Sequence, residues 1–149
     1  MAIPYDSENV FKKIIEGKIP SYKIFETEHV LAILDAFPLV PGHALLLPKA
    51  SGYATIMGMY LTAHYCRCVA AEFFRELPRL AKAVKEATGA DGINIIQNNG
   101  PAAGQAVFHV HVHVIPRFDD DGVLKLPAGQ TMIVKEDGLA LLAKIQEKL

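Results

Sequence analysis

Long apolar runs are missing from this chain of 149 residues. None reaches the roughly 20 residues that a membrane-spanning helix needs, so no membrane partner is expected. The opening Met1-Ala2-Ile3-Pro4-Tyr5-Asp6 lacks a basic n-region and an apolar h-region, so no signal peptide is read there. Positive charge is not in excess: 15 Lys and Arg stand against 16 Asp and Glu, a formal net charge of −1. Without a global positive field, a polynucleotide partner is disfavoured. Cysteine is scarce. Cys66 and Cys68 are two apart in a helical pattern, where side chains do not face each other, so they read as reduced thiols. A reducing, cytoplasmic location is the expectation. No repeat or linker divides the chain. Its length suits one domain spanning 1–149, with a tail from about 118 that includes a terminal helix.

What the chain does have is histidine in a pattern. Three of its six histidines, His109, His111 and His113, alternate with Phe108, Val110, Val112 and Val114. On a strand, successive side chains point to opposite faces, so the imidazoles share one face and the apolar residues fill the other. The β-branched valines favour a strand, and Pro116 ends it or places it at an edge. Such a face has three readings. The histidines are solvated surface groups, or they ligate a metal such as zinc, or they act on an anionic substrate. Imidazole, with an ordinary pKa near 6.5, is largely neutral and nucleophilic near pH 7.

Around this stretch the periodicity reads as an α+β fold. Ser7 can cap a helix from about Glu8 to Glu16, with Val10, Phe11, Ile14 and Ile15 as its apolar stripe and Gly17 at its end. Tyr22–Glu26, Val30–Asp35 and His43–Pro48 read as short strands. From about Ala54 to Thr88 the pattern is helical, with Pro78 expected to kink or restart the helix. The segment Met57 to Cys68 carries no functional reading. Ile93–Gln97 reads as a strand returning antiparallel to the triad strand through Asn98–Gly104. Asp119-Asp120-Asp121 reads as a solvated turn and Ala128-Gly129-Gln130 as another. Glu136–Leu149 reads as a terminal helix whose inner face is Leu141, Leu142, Ile145 and Leu149.

The run His109-Val110-His111-Val112-His113-Val114-Ile115 resembles the signature of the histidine triad (HIT) family of nucleotide hydrolases and transferases. The upstream Asn98-Asn99-Gly100-Pro101-Ala102-Ala103-Gly104-Gln105 is most similar to the Fhit branch. Lys13 to Pro20 and Pro41-Gly42-His43 resemble the Hint branch. The resemblance implies an antiparallel sheet of about five strands with packed helices, in a homodimer whose sheets join side by side. It implies a purine pocket at Phe11, Ile14, Ile19, Ile33 and Leu34, and a ribose contact from Asp35, whose carboxylate can accept from two hydroxyls. Asn98, Gln105 and the backbone at Gly104 are implied phosphate contacts, since glycine permits close backbone approach. His111 is the implied nucleophile, giving a nucleotidyl-histidine intermediate that water then releases. By the same resemblance His113 would stabilise charge, His109 would orient its neighbours, and His43 would support the site.

Two departures matter. Asn9, Lys12 and Ser51 stand where some relatives carry zinc ligands, so no structural zinc is expected. No cofactor is required, although a divalent ion could accompany a polyphosphate substrate. Ala106 stands where the two branches carry serine or threonine, and an alanine cannot donate toward a leaving group. The expected activity is hydrolysis of purine nucleotide conjugates, phosphoramidates or dinucleoside polyphosphates, at the α-phosphate. A metal-dependent hydrolase using the three-histidine face, or a nucleotide-binding protein with little turnover, is the alternative.

Overall fold

Strict alternation along two short strands sorts the core into two layers. In the computed structural model, which describes residues 3–60, 66–124 and 131–149, β2 (Val30–Leu34) and β3 (Ala44–Pro48) pair antiparallel from Val30↔Pro48 to Leu34↔Ala44. Val30, Ala32, Ala44 and Leu46 point to one face. There they pack with Val110, Val112 and Val114 and with Phe73, Leu80 and Val84 of two helices. Leu31, Ile33, Leu45 and Leu47 point to the other face and pack on Phe11. Both central strands are therefore apolar throughout, as strands covered on two sides must be. Each fully buried large side chain contributes about 1.5–3 kcal/mol.

Among the described residues the sheet has five strands in the order β1-β2-β3-β5-β4, all antiparallel, with β1 at Lys23–Glu26, β4 at Gly92–Ile96 and β5 at Val112–Arg117. The α+β architecture of about five antiparallel strands is thus what the sequence led one to expect. α2 (Cys66–Arg75) and α3 (Leu77–Thr88) cover the valine face. Pro78 does restart the helix: it lies in the first turn of α3, where its missing N–H costs nothing. Among the described residues no helix is long and apolar enough to cross a membrane. The Ala128-Gly129-Gln130 turn and the side chains of Cys66 and Cys68 lie outside the description.

Four expectations need correction. α1 runs only from Val10 to Ile15 and is capped by Asn9, not Ser7; the Asn9 side chain accepts from the Lys12 amide at 2.9 Å. The triad stretch is not one continuous strand, since regular pairing begins at Val112 and includes only His113 of the three histidines. α4 (Lys135–Gln146) forms but buries none of its residues; Leu141, Leu142 and Ile145 are about half exposed. Asp121 is not merely solvated. It receives two bonds from the Arg117 guanidinium at 2.5 and 2.7 Å and accepts from the Phe118 and Val123 amides. That arrangement holds its carboxyl well below the usual range, chiefly through the Arg117 bond.

Candidate active site

Register places the site. Across one face of the sheet, Ile33 pairs with Leu45, Leu45 with His113, and His113 with Ile96. The third triad histidine thus sits in a row of aliphatic side chains on β2, β3 and β4. Over this row opens a cavity of about 620 Å³, within the usual range for a small-molecule site. Its lining includes His43, His111, His113, Asp35, Asn98 and Gly104, with Phe11, Ile14, Ile33 and Leu34 on the apolar side.

The imidazoles form two hydrogen-bonded units. His111 Nδ1 lies 2.6 Å from the His109 carbonyl. A carbonyl can only accept, so Nδ1 carries the hydrogen and Nε2 keeps its lone pair. No buried polar side-chain atom among the described residues lacks a partner, and Nε2 of His111 has none among those residues, so it opens onto the cavity. In the second unit the Leu39 amide donates to His43 Nδ1 at 3.2 Å. His43 Nε2 therefore bears the hydrogen and donates to His113 Nδ1 at 2.9 Å. His113 is left with an Nε2–H that faces no acceptor among the described residues. The rings of His111 and His113 meet edge to face at 5.0 Å, and Phe11 meets His111 edge-on at 4.9 Å.

Burial keeps these rings neutral. It lowers His111, against the opposing bond to the His109 carbonyl, and lowers His43, against the nearby Asp35 carboxylate. His113 is pushed down to about 4 by burial and then by the neighbouring His111 and His43. Asp35 Oδ2 stands 3.6 Å from His43 Nδ1 and 3.9 Å from His113 Nδ1, while Oδ1 accepts from the Phe37 amide. Asp35, His43 and His113 place donor atoms within 4.8 Å of one another, close enough to share a cation.

Three sequence expectations move. His109 does not join the row: it is fully buried and lies outside the cavity lining, its Nε2 against the Pro48 carbonyl and its Nδ1 against the Tyr5 hydroxyl. A metal site built on all three triad histidines is therefore not assembled. Gln105 is not free to meet a phosphate. Its amide nitrogen donates to the Ala54 and Val107 carbonyls and its oxygen accepts from Gly100, so it braces the loop instead. Ile19 stays outside the cavity lining. Asn98, by contrast, lines the cavity, and its side-chain amide has no hydrogen-bond partner among the described residues. Gly104 lines it too, with φ +80°, a left-handed turn that glycine adopts without strain.

Sequence reasoning missed Tyr22, Leu39, Leu45, Ile96, Ile115 and Leu124 in the lining. Ile96 and Leu45 were reachable, since both flank His113 once β5 is paired. Tyr22, read as the first residue of a strand, lies just before β1, and Leu39 and Leu124 come from irregular segments that carried no periodic signal.

The profile of the HIT domain matches residues 16–120. The chain belongs to the HIT family. Among HIT relatives, adenosine 5'-monophosphoramidase HNT1 of Saccharomyces cerevisiae is 36% identical over 145 residues, covering 95% of this chain and 85% of that protein. Adenylylsulfatase HINT3 of Arabidopsis thaliana is 41% identical over 112 residues, 75% of this chain but only 53% of that protein. A crystal structure of a HIT family member from Bacillus subtilis superposes with a TM-score of 0.83 at 33% identity, covering 95% of this chain and 97% of that one.

Proposed function

We propose that this HIT protein is a nucleotide hydrolase that cleaves at the α-phosphorus through a covalent bond to His111. The carrying observation is the tautomer of His111: its Nδ1–H is held by a main-chain carbonyl, and its bare Nε2 opens onto the cavity. The relatives named for phosphoramidate and adenylyl sulfate hydrolysis support the same class of reaction. In the first step Nε2 bonds to phosphorus and the bond to the leaving group breaks. In the second, water attacks phosphorus, the N–P bond breaks and the mononucleotide departs. His113, through Nε2–H, donates to the phosphoryl oxygens or the leaving atom, and the Asn98 amide adds a second donor; removing one such donor typically costs a few kcal/mol of barrier.

The base lies in the apolar slot between Phe11 and Ile14 of α1 and Ile33 and Leu34 of β2. Asp35 Oδ2 accepts from the ribose. The scheme draws on no metal, and a divalent ion enters only with a polyphosphate leaving group. Ala106 offers no hydroxyl, so the hydrogen bond to an amine leaving group falls to His113 Nε2–H, and the departing amine takes its proton from water. The protein works as a cytoplasmic homodimer. The edge position of β4, with Ile95 44% exposed, supports pairing through that strand.

His111→Asn tests the reading. The variant is expected to bind AMP as the wild type does and to lose turnover by several orders of magnitude, with no acid-labile, base-stable nucleotidyl adduct trapped on alkaline quenching. Wild-type hydrolysis by that variant would remove His111 from the chemistry. A second reading rests on the Asp35–His43–His113 donor set: a divalent cation held there would act as the electrophile. Activity abolished by chelation and restored by metal would favour it over the covalent scheme.

A further inference from the structure

The triad histidine that does not reach the cavity has a partner outside every motif. Tyr5 belongs to an irregular segment ahead of α1, and its hydroxyl lies 2.8 Å from His109 Nδ1. The other ring nitrogen, Nε2, lies 2.9 Å from the Pro48 carbonyl. That carbonyl accepts only, so Nε2 holds the hydrogen, Nδ1 is bare, and the Tyr5 O–H must be the donor. His109 is fully buried, so the ring is held at both nitrogens in a place with no exposure to solvent. The same residue supplies the main-chain carbonyl that fixes His111, at 2.6 Å. Its successor, Val110, is tied by its amide to the Tyr53 carbonyl at 2.9 Å.

We infer that Tyr5 is a positioning residue for His111, acting through His109. The inference rests on the reading of His111 as nucleophile. Tyr5 clamps the His109 ring, the ring sets the direction of the His109 carbonyl, and the carbonyl aims His111 Nε2 at phosphorus. The segment is itself anchored on both sides. Asn9 binds the Asp6 carbonyl through both its main-chain amide and its side chain. On the other side Ile3 lies beside Gly100, where an added Cβ would meet its Cδ1 at 3.6 Å. The N-terminal segment thus bridges α1 and the loop that feeds the triad, with Tyr5 between them. Removing only the hydroxyl leaves Nδ1 of a buried ring without its donor, and the ring is then free to turn or to take the other tautomer.

The experiment pairs Tyr5→Phe with wild-type protein. Nitrogen-15 NMR of the full chain labelled at histidine reads each ring. In the wild type, His109 is expected to show a protonated Nε2 and a bare, hydrogen-bonded Nδ1. In Tyr5→Phe the His109 Nδ1 signal and the His111 Nδ1–H signal both shift. Rapid-quench turnover of the simple phosphoramidate of AMP is expected to slow about tenfold or more in formation of the nucleotidyl adduct, as small misplacements of a reacting group do. AMP affinity is expected to stay unchanged. A wild-type His109 protonated at Nδ1 overturns the clamp without recourse to any variant. A shifted His109 signal with unchanged adduct formation also overturns it, reducing Tyr5 to a packing residue. If wild-type protein turns over no nucleotide, the hydrolase reading fails, while the NMR comparison still decides whether Tyr5 sets the two rings.

Discussion

An attacking imidazole works only while its lone pair is free. Solvated histidine loses that lone pair near pH 6.5. Burial lowers His111 below this, and His113 falls to about 4. The rate constant kcat/KM is therefore expected to stay flat from neutral pH down past 6.5 and to fall only below it, as protons reach the buried rings. An acid limb at or above 6.5 would mean that the rings titrate as solvated groups. The residue scale also shows what the sequence carried. His111 and His113 were legible from their alternation, and Asp35 and Asn98 from the resemblance to the HIT family; all four line the cavity. The displacement of His109 and the engagement of Gln105 were not legible. Each follows from partners far along the chain, Tyr5 and Pro48 for one and Ala54 for the other.

Elements position the site through their ends. Pro41-Gly42 brings the chain into β3 so that His43 reaches His113. Gly42 has φ +90°, and a Cβ added there would lie 2.4 Å from the Thr88 methyl and 3.5 Å from Pro116. The Thr88 side chain has little freedom to yield, being bonded to the Val84 carbonyl at 2.7 Å. Gly42→Ala is expected to destabilise the protein by roughly 1–3 kcal/mol, from backbone strain and this clash. It should also shift His43 away from His113. Urea melts combined with histidine NMR check both effects, and a variant as stable as wild type would refute the close approach. The triad strand was readable from alternation, the central strands from short apolar runs, and the helices from their apolar spacing. The start of α1 was misread because Ser7, Asp6 and Asn9 are all competent caps, and only tertiary geometry selects among them. The break in the triad strand was hidden because His109 to His113 keep the alternation even where pairing to β3 has not begun.

At the scale of the whole molecule, the sheet separates a valine face under α2 and α3 from a histidine face under α1. The cost of enclosing neutral rings appears in stability. His109 and His113 both lie at about 4 in the folded protein, chiefly through burial, against about 6.5 when unfolded. Between those values the unfolded chain takes up protons that the folded protein refuses. Their contribution is thus complete above about pH 6.5 and is lost as pH falls toward about 4. The melting temperature is expected to drop steadily across that window, and a level melting temperature from pH 7 to 5 would contradict the burial of these rings. Sedimentation measures the proposed dimer. A Val114→Lys variant, altered in the core, is no test; Ile95→Lys on exposed β4 is, and it should yield monomer. A wild-type monomer at micromolar concentration would exclude pairing through that edge.

Main-chain groups at Leu39, Pro48 and His109 decide which nitrogen of each ring holds hydrogen. Amide isosteres can therefore dissect each imidazole by halves. Asparagine copies the Nδ1 side and glutamine the Nε2 side. At 111 asparagine keeps the tether and deletes the attacking atom, whereas glutamine loses the tether and sets a non-nucleophilic amide where Nε2 stood. At 113 glutamine retains the donor offered to substrate and severs the link to His43, so the two halves of the ring become separately measurable.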